Sequence, residues 1–321
     1  MALTDIPWFP ILLAAYMGWS GVRKGSLSLD GGIAAFIIGS TMLSVPLRTF
    51  GVSLIIFYLV GSKATKVGKE LKARLEEGHQ EAGNRNASQV LCNSFSAFLA
   101  TLLWSASFVD GSFFSPLLES SSRGPFYNSA QWCAVSPSIG NGWSRKAVYF
   151  ALGHFACCLG DTLASELGIL SKTPPRLITT FKVVPPGTNG GVSRTGTAAS
   201  AAGGIIMGVT FAASLLLESS ACRAQWQQVV VPLVIWGAFG GLFGSLVDSL
   251  MGATIQRTKF STKTKRILID ESPVPTNKSD VQVISGIDLL TNNQGRLSSS
   301  SFLQVNLASS IIIAILCGYL A

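Results

Sequence analysis

Apolar residues in this chain gather into eight runs, at 7–22, 29–47, 50–62, 88–109, 147–169, 196–217, 229–253 and 302–320, separated by polar connections. Most of these runs approach the ~20 apolar residues that an α-helix needs to cross the hydrocarbon of a bilayer. The run at 50–62 is short, and reads as tilted, re-entrant or partly continuous with the run before it. The pattern predicts an all-α, polytopic integral membrane helix bundle of about eight spans, with seven to nine as the range. Residues 1–321 then form one membrane domain, with larger connections at 63–87, 170–195 and 254–301.

Charge sharpens this picture. With the N-terminus on the outer side, nineteen of the 24 Lys and Arg fall in the connection holding Arg23 and Lys24 and in 63–87, 170–195 and 254–301. Arg48, Arg123, Arg145, Lys146 and Arg223 are left on the other side. Removing any one span would destroy this bias, which the positive-inside rule ties to the cytosolic, stromal or matrix face. Only 12% of residues are charged against 48% hydrophobic, and mean hydropathy is +0.44. A soluble domain carries roughly twice that charge fraction. The net charge of +8 therefore reads as topology, with no nucleic-acid partner, because no basic-aromatic pattern accompanies it.

The connections differ in character. In 63–80, Val67, Leu71 and Leu75 recur at i, i+4 and predict a short interfacial helix. Residues 171–195 are rich in Pro, Gly, Thr and Asn, and 256–301 is long and polar. The outer segment 110–146 carries no motif. The six cysteines, Cys92, Cys133, Cys157, Cys158, Cys222 and Cys317, read as small buried hydrophobes and not as a disulfide framework. No basic region precedes the first apolar run, which reads as an anchor and not a cleaved signal. His154 is expected to pack within a span and His79 to be solvated, and neither has a triad partner for serine-type hydrolysis.

Two groups of acids could carry chemistry. Asp161 and Glu166 stand inside an apolar helix, in Gly160-Asp161-Thr162-Leu163-Ala164-Ser165-Glu166. Carboxylates are costly in a span and are usually retained for function. They suit Mg²⁺, which binds through one or two carboxylates plus substrate phosphates; the alternative is a hydrogen-bonded cluster between helices. Asp248 shares an i, i+4 stripe with Gly240, Gly244 and Gly252, and small residues would press it against the Asp161 helix. The run Gly187-Thr188-Asn189-Gly190-Gly191 opens onto Arg194 at the head of a helix, where backbone amides and the helix dipole can meet an anion. The alternative there is a plain tight turn. Arg176 and Arg194 are candidate phosphate holders. Asn86, Gln89 and Asn93 form a polar face entering the membrane.

Those residues resemble the transmembrane protein nineteen family of integral membrane proteins, to which the plant phytyl-phosphate kinase also belongs. The matching segments are Gly61–Lys66, Asn84–Asn93, Gly160–Glu166, Pro174–Gly196, Gly240–Ala253 and Asn277–Asn293. The resemblance implies a prenyl-phosphate kinase using a nucleoside triphosphate and Mg²⁺ at the cytosolic face. Asp161, Glu166 and Asp248 would hold the metal. Arg194, Arg176, Asn93, Gly187, Thr188, Asn189, Gly190, Gly191, Asn292 and Asn293 would bind phosphate or substrate. An isoprenoid-phosphate lipid would be the partner, in an endoplasmic reticulum or other endomembrane or a plastid envelope. The chain departs from the family at Gly295–Gln304, which stands as an insertion before Asn306. The rival class is a non-catalytic membrane protein or a transporter of a small solute or ion, which should show internal repeats and a site open to both faces.

Overall fold

The structure, a computed structural model, describes residues 7–68, 76–77, 84–113, 125–268, 280–286 and 298–321. Each of the eight apolar runs coincides with helix. Helix α1 (Trp8–Arg23) and helix α2 (Leu29–Ser44) form a hairpin, and Ser28 caps α2 by accepting from the Gly31 amide at 3.3 Å. Helix α2 stops because Val45 precedes Pro46, and a residue before proline is driven out of the helical region; Val45 lies at ψ 136°. Helix α3 (Thr49–Ala64) is therefore separate from α2, and at 16 residues it is longer than its apolar core suggested.

The fourth run is broken. Strand β1 (Glu76–Glu77) and a short helix α4 (Ala87–Cys92) precede helix α5 (Phe95–Phe108). After them come α6 (Trp143–Gly168), α7 (Arg194–Glu218), the short α8 (Ser220–Ala224), α9 (Trp226–Ile255) and α10 (Ser298–Leu320). Among the described residues three helical stretches are long and apolar enough to cross a membrane: Ile139–Gly168, α7 and α9. Leu29–Ser44, Thr49–Ala64, Phe95–Phe108 and Val305–Leu320 are shorter apolar helices.

Helix α6 is the centre of the bundle, with α7, α9 and α10 packed around it and α3 and α5 alongside. Glycine makes this closeness possible. A Cβ on Gly160 of α6 would stand 2.7 Å from the Gly241 Cα of α9, and one on Gly203 of α7 would stand 2.9 Å from the Gly160 Cα. Three helix backbones thus meet at one level, as small residues allow within a membrane. Trp104, Tyr149, Phe155 and Phe211 fill the core on either side.

Two small sheets lie outside the helices and were not expected, because strands of two to five residues are too short to show alternation. Strands β2 (Arg176–Leu177) and β3 (Gly191–Val192) pair antiparallel, Arg176 against Val192. Strands β4 (Thr258–Ser261), β5 (Arg266–Leu268) and β6 (Val281–Ser285) join β1 in the order β1-β5-β4-β6, with β1 parallel to β5. Of the expected interfacial helix, Val67 lies in a turn, and Leu71 and Leu75 fall outside the described residues.

The two ends of the bundle are built differently. The basic end carries the connection after α6, the strands and Arg85. The opposite end is capped by residues 125–138, whose Cys133 is disulfide-bonded to Cys222 of α8. This corrects the reading of all six cysteines as isolated apolar residues. Cys133 and Cys222 lie in the two outer connections, 89 residues apart, so no local spacing announces them. Cys157, Cys158 and Cys317 are buried thiols, as expected.

Candidate functional site

The acids of α6 and α9 separate into two groups. Gly240 and Gly244 of α9 face α6: a Cβ on Gly240 would stand 3.1 Å from the Ala156 Cβ, and one on Gly244 would meet the Cys157 Sγ at 2.5 Å. Asp248, one turn on, is thereby carried to the level of Asp161, and the two carboxylates lie within electrostatic reach of each other and of Cys157. Asp248 is buried and accepts from Ser309 Oγ of α10 at 3.1 Å. Ser309 turns in the same helix with Ser310, whose side chain lies against Cys158. The site is thus an aspartate pair walled by three helices, with α10 supplying a hydroxyl.

Glu166 does not join that pair. It lies one and a half turns further along α6, and its charge is felt by Arg85. Arg85 donates through Nη1 to Ser62 Oγ at 3.1 Å and through Nη2 to Thr65 Oγ1 at 3.3 Å. Burial pushes the Arg85 guanidinium down from its ordinary value, and the Glu166 charge pulls it back. The Arg85 carbonyl also accepts from the Ser28 amide at 3.0 Å, so this residue ties α2, α3 and α6 together at the basic end. Among the described residues no three His, Cys, Asp or Glu side chains are grouped to hold a metal ion. The expected set of three carboxylates is therefore a pair plus a separate glutamate whose charge acts on Arg85.

The glycine-rich loop is closed on itself. The Thr188 amide donates to Pro185 O at 3.3 Å, the Asn189 amide to Thr258 Oγ1 at 3.1 Å, and the Gly191 amide to Thr188 O at 2.9 Å. Gly190 sits at φ 78°, and a Cβ there would stand 2.6 Å from Ser249 O of α9. Gly187 is exposed at the turn. Three of the loop's amides are thus spent inside the fold, and Gly190 admits the close approach of α9. The bonds of Thr188, Asn189 and Gly191 favour the turn reading, while Gly187 stays exposed at its tip. Gly252, the last small residue of the α9 stripe, receives this loop: its Cβ would lie 3.6 Å from the Asn189 Cβ.

The remaining expected residues are dispersed. Arg176 is exposed and donates to Phe181 O at 2.9 Å, within its own hairpin. Arg194 is exposed at the head of α7, where Ser193 caps the Gly196 amide at 3.1 Å. Asn86 and Gln89 form a capping box for α4 and not a polar face, with Gln89 N to Asn86 Oδ1 at 3.0 Å and Asn86 N to Gln89 Oε1 at 3.1 Å. The Asn-x-x-Gln spacing is itself the signal for that box. Asn93 ends α4, at the break before α5, and its backbone lies against His154. His154 is buried within α6, its Nε2 3.8 Å from Cys158 Sγ. Asn292 and Asn293 fall outside the described residues. Arg85, which reads in the sequence only as a loop charge, is a cation on which a candidate acid, Glu166, acts.

The match to the family described as integral membrane protein DUF92 runs over residues 12–314, nearly the whole bundle. The chain belongs to this family. It is 37% identical over 293 residues to Protein PGR of Arabidopsis thaliana, covering 89% of each chain. It is 26% identical over 237 residues to Protein VTE6, chloroplastic, of the same plant, covering 72% of this chain and 56% of that one. An uncharacterised membrane protein of Methanocaldococcus jannaschii is 36% identical over 124 residues, 39% of this chain and 45% of its own. No solved structure matches. The resemblance read from the motif segments is thereby confirmed as family membership.

Proposed function

We propose that this membrane protein is a prenyl-phosphate kinase working at the basic end of the bundle. The observation that carries the reading is the aspartate pair: two carboxylates from different helices, Asp161 and Asp248, held together where glycines let α6 and α9 touch. Two acids that repel one another inside a membrane are costly to keep, and a cation with bound phosphates is what such a pair suits. The likeness of the motif segments to a family that includes the phytyl-phosphate kinase supports it. So do the exposed cations Arg194 and Lys172 around the same end.

In this reading an oxygen of the prenyl monophosphate attacks the γ-phosphorus of a nucleoside triphosphate. The new P–O bond forms as the bond to the β-phosphate oxygen breaks, giving a prenyl diphosphate and a nucleoside diphosphate. Mg²⁺, when bound, would neutralise charge on the phosphates. Asp161 and Asp248 are the residues that would hold it, with Ser309 fixing the orientation of Asp248. Arg85 and Glu166 act as a brace that sets the height of α6 against α3. The prenyl chain lies among the apolar helices. The chloroplastic relative favours a plastid membrane over the endoplasmic reticulum as the setting.

The test is turnover of prenyl monophosphates with nucleoside triphosphates by purified protein in detergent or nanodiscs. Asp161→Asn and Asp248→Asn should each abolish turnover while leaving the thermal midpoint unchanged or higher. Protein shown to be folded, yet inactive with every donor, would overturn the enzyme reading in favour of a carrier.

A further inference from the structure

The connection after α6 carries an apolar tip that takes no part in the aspartate site. Its base packs on the end of α9: Leu177 and Val184 cluster with Ala253, and a Cβ on Gly190 would stand 2.6 Å from Ser249 O. The depth of that contact follows from α9 itself. Trp226, at the outer end of α9, is exposed, as an aromatic at the membrane interface should be. At 1.5 Å per residue, Ser249 to Ala253 lie ~35–40 Å from Trp226, past a ~30 Å hydrocarbon layer and level with the headgroups. Leu250, the last large apolar residue that α9 exposes, marks the same level.

The tip stays close to that level. The Ile178 amide donates to Gly190 O at 2.9 Å and the Phe181 amide to Leu177 O at 2.8 Å, so Phe181 lies within one turn of the α9 contact. Phe181 is 70% exposed and Val183 56%, with Lys182 exposed between them. Arg176 donates to Phe181 O at 2.9 Å, which sets its guanidinium beside the same tip. No Asp or Glu occurs from 169 to 195. Phe181 also stands at φ 55°, a left-handed conformation that glycine would hold without strain. An exposed ring on a strained backbone gains nothing in water. It gains at the headgroup layer, where aromatic rings concentrate and cations meet anionic lipid. We propose that the turn 177–183 anchors the chain to the anionic leaflet at the basic end, with Phe181 and Val183 entering the headgroup layer and Arg176 and Lys182 on its phosphates. The occupant is the phospholipid of the protein's own bilayer. An anchored turn holds the connection between α6 and α7 at a fixed depth, whether the aspartate pair serves a kinase or a carrier.

The experiment uses full-length protein in nanodiscs of phosphatidylcholine, alone or mixed with phosphatidylglycerol. The photoreactive residue 4-benzoylphenylalanine, placed at Phe181, should yield phospholipid adducts on irradiation, more of them in the anionic discs. The same probe at Lys263, exposed in the turn between β4 and β5, should not. Lys182→Gln should lose the excess of adducts in anionic discs and keep those formed in neutral ones. In protein without the probe, amide hydrogen exchange across 177–183 should be slower in anionic than in neutral discs. Phe181→Gly relaxes the backbone at φ 55° while removing the ring, and should abolish that dependence on lipid; a turn held only by its internal bonds would exchange alike in both discs before and after the change. Absence of phospholipid adducts at Phe181 in either disc, an equal yield at Lys263, exchange indifferent to lipid charge in wild type, or adducts of the Phe181 probe to a protein segment in place of lipid would each overturn the proposal.

Discussion

Adding one methyl group at Gly160 tests whether the glycine contact is what brings the aspartates together. A Cβ at this position meets the Gly241 Cα and O at 2.7 Å and its carbonyl carbon at 3.0 Å. Carbon atoms prefer separations of ~3.5–4.0 Å, so α9 would have to retreat by about 1 Å. The obstacle is backbone, and no rotamer change relieves it. Such overpacking costs about 1–3 kcal/mol, while Ala in place of Gly favours the helix by about 1 kcal/mol. With backbone at 2.7 Å as the obstacle the cost lies in the upper part of that range, so overpacking should win and leave Gly160→Ala less stable by roughly 1–2 kcal/mol. At ~2–4 °C per kcal/mol for a chain of this order of size, the midpoint should fall by about 2–8 °C. Thermal unfolding in detergent, followed by monodispersity on size exclusion, measures it. Gly39→Ala is the control: its Cβ meets only the Ala14 Cβ at 3.4 Å, an ordinary contact, so helix propensity alone acts and the midpoint should hold or rise. A Gly160→Ala midpoint at or above wild type, or an equal fall in Gly39→Ala, would falsify the close-contact reasoning.

Other outcomes follow from the same geometry. Arg85→Leu should destabilise by about 1–3 kcal/mol, because Ser62 and Thr65 lose their donor and Glu166 its nearby positive charge; Arg85→Lys should recover only part, since one ammonium cannot span both hydroxyls. Reducing agent should lower the midpoint of wild type but not of a Cys133→Ser, Cys222→Ser double variant; equal sensitivity would show that the disulfide does not hold the cap. Tyr127 is raised above its ordinary value by burial first and the Glu218 charge second. A raised pKa in the folded state stabilises fully below the unfolded value of about 10 and is lost as pH rises through the folded value. Stability attributable to Tyr127 should therefore be flat from pH 7 to 9 and fall in the alkaline range, more steeply in wild type than in Tyr127→Phe by pH-dependent unfolding.

The helices were legible in the chain because membrane helices must satisfy every backbone group internally and so need long apolar runs. The placement of Asp248 against α6 was legible for a related reason: Gly240, Gly244 and Gly252, spaced with it four residues apart, mark where backbones approach. What escaped was whatever depended on the connections. Asn86 and Gln89 look the same in sequence whether they line a cavity or cap a helix, and only the start of α4 at Ala87 decides. The loop through Asn189 and Gly190 has the composition of an anion cradle, but its Asn189 and Gly191 amides were claimed by Thr258 and Thr188, the first in a strand 69 residues distant. Arg85 read as one more topology charge because its partners Ser62, Thr65 and Glu166 lie on two other helices.

The Cys133–Cys222 bond gives the bilayer a second compass. Positive charge directs which loops are retained as the chain inserts, and acts while it is being made. A disulfide records afterwards where the chain came to rest, since thiols pair durably only in oxidising compartments. Both needles point the same way here: the basic loops lie at one end of the bundle, and the aromatic cap of Tyr127 and Trp132 lies with the disulfide at the other. A membrane dividing a thiol-reducing phase from an oxidising one is the setting in which both would hold. The same chain, inserted where both faces are reducing, would carry its cap unfastened.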